Sequence, residues 1–161
     1  MKDSVLLITG GTGSFGNAFL NKTLNNSNFD EIRIFSRDEK KQDDMRRKYN
    51  NQKLKFYLGD VRDISSVKSA MIDVDYIFHA AAYKHVPIVE DNIIESIKNN
   101  VFGTKNIVDA SLDNGVNKFV LVSTDKAVRS KNIMGKTKRL AELYVQAKAR
   151  NCETTTLSIV R

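Results

Sequence analysis

Cysteine, proline and histidine are scarce in this 161-residue chain, and each shortage closes off a class of protein. The one cysteine, Cys152, cannot form an internal disulfide and makes no metal site by itself. Its expected role is that of a small buried or half-buried side chain rather than a nucleophile. The two histidines, His79 and His85, have no metal-ligand partner at useful spacing. No metal is therefore expected, and core or loop roles are expected for both. The one proline, Pro87, is placed by the strand pattern in a loop after the fourth strand. No apolar run approaches the roughly 18–20 residues that cross a bilayer. The segment from Met1 to Gly16 runs into glycines too early for a signal peptide. These absences favour a cytoplasmic, reducing compartment. Short-period repeats, low-complexity tracts and linkers are also missing, and 41% of the residues are hydrophobic. One domain, residues 1–161, with a proper core is expected.

What is present is a net charge of +7, unevenly spread. Residues 1–114 carry 16 basic and 16 acidic side chains, whereas residues 115–161 carry ten basic and three acidic. The excess points to an anionic partner. Basic runs interleaved with aromatics, helix-turn-helix patterns and zinc spacings are missing, so nucleic acid is not expected. A phosphorylated small molecule accounts for the charge.

Six apolar runs rich in β-branched residues recur along the chain: 5–8, 32–35, 54–58, 76–78, 119–122 and 156–160. Several are apolar on both faces, as strands of a parallel sheet covered by helices must be. Helical stretches are expected at 14–26, 38–49, 65–72, 90–113 and 134–150. In the long fourth stretch, Val101, Ile107, Val108 and Leu112 fall on one face, and Gly115 suits its stop. Strands alternating with helices predict an α/β fold, a doubly wound parallel sheet of the Rossmann type built from right-handed βαβ crossovers.

The first strand runs into Gly10-Gly11-Thr12-Gly13-Ser14-Phe15-Gly16. Gly11, Gly13 and Gly16 match G-x-G-x-x-G, and Gly10, Gly13 and Gly16 match the wider G-x-x-G-x-x-G. Glycines there allow a tight turn, a close approach of backbone to a pyrophosphate and close packing of helix on strand. The helix N-terminus then receives the anion. The setting, after a strand and opening a helix, is the one that a dinucleotide site requires. Gly-Lys-Ser/Thr does not follow, which excludes a P-loop. The loop assigns Gly10, Thr12, Gly13, Ser14, Phe15 and Gly16 to the cofactor.

An NAD site usually carries an acidic residue at the end of the second strand. This chain has Ser36-Arg37-Asp38 there. Arg37, with Lys40 or Lys41, can hold a 2′-phosphate, so NADP is preferred; Asp38 and Glu39 leave NAD as the alternative. The stretch Lys40 to Asp44 is expected to be largely a solvated helix face. Asp60 and Val61, at the end of the third strand, are placed at the adenine rim, and Asp63 suits a helix cap.

Five segments carry a family resemblance: Gly10 to Gly16; Ser36-Arg37-Asp38-Glu39; Gly59-Asp60-Val61-Arg62-Asp63; His79-Ala80-Ala81-Ala82-Tyr83-Lys84-His85-Val86-Pro87; and Ser123-Thr124-Asp125-Lys126-Ala127-Val128. Together they resemble the extended short-chain dehydrogenase/reductases. More narrowly they resemble the bacterial UDP-N-acetylglucosamine 4,6-dehydratases of surface-polysaccharide or flagellin-glycan synthesis. The resemblance implies an internal redox cycle in which NAD(P) takes a hydride from sugar C4, water leaves across C5 and C6, and the hydride returns to C6. It implies Asp125 as the acid, Lys126 as the base and Thr124 as the partner of the C4 oxygen. It places Ala80, Ala81, Ala82, Ser123 and Asn100 by the cofactor, and Tyr83 and Lys84 by the nicotinamide or the UDP-sugar. Asn100 also has a structural reading, as a residue that shapes its helix.

The superfamily's Tyr-x-x-x-Lys is altered. Lys138 keeps its place, to hold the nicotinamide ribose, but Met134 stands where the tyrosine would be and has no proton to exchange. Some dehydratases of this family look similar. Met134 is placed by the substrate, and the base at the C4 hydroxyl is unassigned. Relatives continue into a smaller C-terminal substrate domain, which the resemblance implies is absent from residues 1–161, leaving turnover by this chain in question. The helices at 90–113 and 134–150 can pair between subunits in a homo-oligomer, by analogy. Two rival readings stand beside the dehydratase: a UDP-sugar 4-epimerase, and a non-catalytic dinucleotide-binding module.

Overall fold

The computed structural model describes residues 4–26 and 29–161. Residues 1–3 and 27–28, which the expected single domain includes, lie outside the described residues. Six strands form one parallel sheet: β1 (Val5–Thr9), β2 (Glu31–Ser36), β3 (Leu54–Leu58), β4 (Tyr76–His79), β5 (Lys118–Val122) and β6 (Thr156–Val160). Their order in the sheet is β3-β2-β1-β4-β5-β6. This is the doubly wound order, in which the crossovers reverse direction between β1 and β4 and open a crevice at the strands' carboxyl ends.

The apolar runs explain the layers. Within β1, Val5 and Leu7 enter one core and Leu6 and Ile8 the other, because successive side chains point to opposite faces. The first core packs the sheet against α3 (Ile64–Met71), α6 (Gly103–Asp113) and α7 (Ile133–Ala149), through Val67, Met71, Ile107, Val108, Ala141 and Val145. The second packs it against α1 (Ser14–Asn26) and α2 (Glu39–Tyr49), through Leu20 and Met45. No helix among the described residues is long and apolar enough to cross a membrane.

The stretch expected as one helix over 90–113 is interrupted. It begins earlier, as α4 (Val86–Asp91), breaks at Asn92, resumes as α5 (Ile93–Ile97) and passes through a π-turn (Lys98–Phe102) into α6. The Gly103 N–H reaches the Lys98 carbonyl five residues back. Pro87 is not in a loop; it sits in the first turn of α4, where a missing N–H costs nothing. The predicted stop of α6 is present: Gly115, at φ +65°, donates to Leu112 O and Val116 donates to Ser111 O, a Schellman pair. Asp63 caps α3 by accepting from the N–H groups of Ser65 and Ser66.

Candidate functional site

A cavity of about 590 Å³ opens at the carboxyl ends of the strands, at the crossover reversal. It lies within the roughly 300–1,000 Å³ range of small-molecule sites. The glycine loop forms one wall. Gly10 has φ +66°, and a Cβ there would lie 2.7 Å from Ala81 N on the neighbouring strand's exit. A Cβ on Gly16 would meet Gly11 Cα at 2.5 Å, so helix and loop touch backbone to backbone. At Gly13 only the Gly10 carbonyl is close, at 3.2 Å. The Gly10-Gly13-Gly16 spacing thus supplies the turn, the open approach and the helix contact. Gly11 instead faces the Ile34 side chain at 3.0 Å. Beyond the loop, Ser14, Phe15 and Gly16 line the cavity at the first turn of α1, where helix N–H groups have no intrahelical acceptor.

The ends of β2 and β3 form the next wall. Thr12 Oγ1 and Ser36 Oγ are 2.8 Å apart, joining the glycine loop to β2. Arg37 lines the cavity, stacks at 5.0 Å over the Tyr83 ring and lies 3.5 Å from the Asp60 carboxylate. Asp60 is clamped by Arg62 at 2.7 Å, and those hydrogen bonds hold its carboxyl below the usual range. Val61 lines the wall beside it. Asp38 also borders the cavity, but its side chain caps α2, accepting from Lys41 N at 3.0 Å and pairing with Lys41 Nζ at 3.0 Å. One residue of the supposedly solvated stretch is buried. Gln42 donates to Ser36 O and Tyr57 O, both at 2.8 Å, and so ties the ends of β2 and β3.

Ala80, Ala81, Ala82, Tyr83 and Lys84 line the cavity below β4. Asn100 does not line it; the adjacent Asn99 does. Asn100 is buried, accepts from Tyr83 N at 2.8 Å and donates to Tyr83 O and Thr137 Oγ1, each at 3.0 Å. The π-turn aims this side chain, and its contacts are those of the structural reading. His79 is a core residue, bonded to the hydroxyls of Thr9 at 2.6 Å and Thr104 at 3.0 Å. Burial, reinforced by the Lys138 charge, pushes its imidazole down to about 3. His85 is exposed at the start of α4, and Cys152 is half-buried, as expected.

The last wall comes from β5 and α7. Ser123, Thr124, Lys126, Met134 and Lys138 line the cavity. Thr124 caps a short 3₁₀ turn, Asp125–Ala127, and its hydroxyl donates to Asp125 Oδ1 at 2.9 Å. Asp125 is not among the lining residues; its side chain is 89% exposed, and the Thr124 hydrogen bond with the Lys126 charge keeps it ionised. Met134 and Lys138 stand one helical turn apart on α7, and both are buried. Lys138 Nζ donates to Val122 O at 2.6 Å, and burial pushes its ammonium down to about 8 against the pull of Glu142. Cavity-lining residues that the sequence did not single out for the site include Phe35, Asn99 and Val122. Among the described residues no His, Cys, Asp and Glu group could hold a metal ion.

Strand order, glycine loop and crevice define a Rossmann-type nucleotide-binding fold. The chain belongs to the family described as polysaccharide biosynthesis protein, which it matches over residues 6–161. It is 54% identical over 151 residues to a UDP-glucose 4-epimerase of Rickettsia prowazekii (strain Madrid E) and 55% identical to one of Rickettsia bellii (strain OSU 85-389). In both cases 92% of this chain is aligned with 44% of the relative, so the chain spans under half the length of these curated relatives. Among solved structures it is similar to Pen from Bacillus thuringiensis, with TM-score 0.94, 35% identity, and coverage of 99% of this chain and 50% of that one. At the level of fold alone it matches a dTDP-glucose 4,6-dehydratase from Streptomyces venezuelae solved with NAD and TYD. That match has TM-score 0.86 and 23% identity, covering 96% of this chain and 55% of the other.

Proposed function

We propose that this chain is the dinucleotide-holding part of a nucleotide-sugar 4,6-dehydratase acting on UDP-N-acetylglucosamine. The observation that carries the reading is the composition of one wall: Thr124, Lys126, Met134 and Lys138 line the same cavity, with methionine where a tyrosine acid-base would stand.

The residues fit a nicotinamide dinucleotide. The open approach at Gly13 and the first turn of α1 suit a pyrophosphate. NADP is preferred to NAD because Arg37 lines the cavity, while the two carboxylates there are engaged, Asp38 as the α2 cap and Asp60 by Arg62. When bound, the nicotinamide would supply hydride storage, holding the hydride lost from sugar C4 until it is delivered to C6. Lys138 would hold its ribose, and Thr124 would hydrogen-bond the C4 oxygen. Lys126 would take the C5 proton, and Asp125 would give a proton to the departing C6 hydroxyl. Asp125 is ionised while it faces water, and a sugar laid over it would raise its affinity for a proton by desolvation.

The Rickettsia relatives favour a second reading, a UDP-sugar 4-epimerase. The two differ in product, because epimerisation leaves the 6-hydroxyl in place. The test is to incubate this chain, and a version extended to the length of its relatives, with NADP and UDP-N-acetylglucosamine or UDP-glucose. Products are followed by NMR. A 4-keto-6-deoxy sugar, lost in Asp125→Asn and Lys126→Gln, is expected from the extended version. A C4 epimer with its 6-hydroxyl intact overturns the dehydratase in favour of the epimerase.

A further inference from the structure

Glu142 is the one fully buried acidic side chain among the described residues, at 0% exposure, and it lies one helical turn beyond Lys138 on α7. A carboxylate without water must be held by donors, and three elements supply them. Ser123 Oγ donates at 2.6 Å from the end of β5. Arg161 donates through two nitrogens at 3.0 and 2.9 Å from beyond the end of β6. Arg139 donates at 3.0 Å from α7 itself. Ser123 N also donates to Val160 O at 2.7 Å, which closes the ring between the two strand ends. The residue before Ser123 is Val122, whose carbonyl holds Lys138 Nζ; the residue after it is Thr124.

We propose that Glu142 is a positioning residue for the reaction site: its carboxylate fixes the strand end that carries Thr124 and Lys126, and its charge keeps the Lys138 ammonium in place. This deepens the dinucleotide reading and rests on it for the role of Lys138. Glu142 touches neither substrate nor cofactor; it acts through Ser123 and Lys138. Glu142 supplies the negative charge that acts on Lys138, and His79, from β4, is held neutral in part by the Lys138 charge. Burial alone would raise Glu142, but the hydrogen bonds from Arg161, Ser123 and Arg139 outweigh it and hold the carboxyl at about 2. The charge is therefore present throughout the neutral range.

The test follows Lys138 itself. The 161-residue chain, with lysines labelled at the side chain, is titrated by NMR, and NADP binding is measured by calorimetry at pH 7.5. Glu142→Gln keeps the shape and removes the charge. It is expected to lower the Lys138 titration midpoint, and a fall of one pH unit from about 8 would cut the charged fraction at pH 7.5, and with it NADP affinity, about threefold. Glu142→Asp is expected to restore the midpoint. Arg161→Gln, at a half-exposed position, leaves the carboxylate less neutralised and is expected to move the midpoint the opposite way. That second variant decides the matter if Glu142→Gln does not fold. A Glu142→Gln protein that is merely less stable, with the Lys138 midpoint unmoved, overturns the proposal, as does an unmoved midpoint in Arg161→Gln. Failure of the wild-type chain to bind any dinucleotide sinks the cofactor reading instead, and leaves the Lys138 titration as the test of Glu142.

Discussion

The carbonyl oxygen of Lys126 lies 2.5 Å from where a side chain on Gly135 would place its first carbon. The first turn of α7 therefore rests directly on the backbone of the turn that carries Thr124, Asp125 and Lys126. Asn132, the cap of that helix, accepts from Gly135 N at 2.7 Å and fixes the approach. A glycine inside a helix normally costs about 1 kcal/mol against alanine. Here the order should reverse, because overpacking against fixed backbone typically costs about 1–3 kcal/mol. Gly135→Ala is expected to lower stability on the order of 1 kcal/mol despite the better helix former, and to disturb the Thr124 to Lys126 turn. Urea denaturation and the backbone NMR shifts of residues 124–126 check this; a more stable protein with unchanged shifts contradicts it.

Gly10 and Gly115 share a left-handed backbone, at φ +66° and +65°, but not a neighbourhood. A Cβ on Gly10 would strike the Ala80-Ala81 backbone, whereas one on Gly115 would meet nothing within 4 Å. Gly115→Ala should cost only the conformational penalty, roughly 1–2 kcal/mol. Gly10→Ala should cost more, adding about 1–3 kcal/mol of overpacking, and should abolish dinucleotide binding. Parallel denaturation curves and calorimetry on the two variants measure the difference; equal losses would remove the close approach from the account.

Arg37 is expected to choose the cofactor. A hydrogen bond to a charged group contributes roughly 1.5–3 kcal/mol, so Arg37→Gln should weaken NADP about ten- to a hundredfold and leave NAD nearly unchanged. Calorimetry with both dinucleotides reads this directly. Tighter binding of NAD than NADP by the unmodified chain refutes the preference.

His79 sets a pH dependence of stability. The folded imidazole stays neutral down to about 3, while an unfolded histidine takes up a proton below about 6.5. The unfolded state therefore binds the extra proton, and the stability present above about pH 6.5 drains away as pH falls toward 3. Between about pH 6.5 and 4.5 the loss attributable to this residue is roughly 2–3 kcal/mol. His79→Gln should lose less over that range. Urea midpoints at the two pH values decide, and parallel changes in the two proteins would count against it.

Much of the architecture was legible because it rests on local pattern. Runs such as Val5 to Ile8, short, apolar on both faces and rich in β-branched residues, read as strands with helices on either side, and their bounds fall within a residue or two of those observed. The glycine loop was legible as a tight turn from strand to helix, but two glycine spacings fitted it equally, because the contacts of Gly10 with Ala81 and of Gly16 with Gly11 lie across the turn. Three features were not legible because they depend on what lies across the fold. Gln42 reads as one polar residue among charges, yet two strand-end carbonyls bury it. Glu142 reads as a helix surface charge, yet Arg161 reaches it from β6. The interruption between Pro87 and Gly103 was not legible because these short segments turn polar residues inward, Ser96, Asn99 and Asn100, while Ile93, Ile94 and Phe102 are exposed, so apolar spacing does not mark the core-facing side.

The π-turn at Lys98–Phe102 bears on how this chain tolerates changes in length. Its ladder reaches one residue further back than an α-helix would, so it holds about one residue more per turn than its flanks. A single deletion inside it would tighten the turn to α without rotating Ile107 and Val108 out of the core. The same deletion in α6 between Gly103 and Ile107 would swing them by about 100°. Homologues that lack one residue here would keep the fold, and what they would give up is the grip of Asn100 on Tyr83.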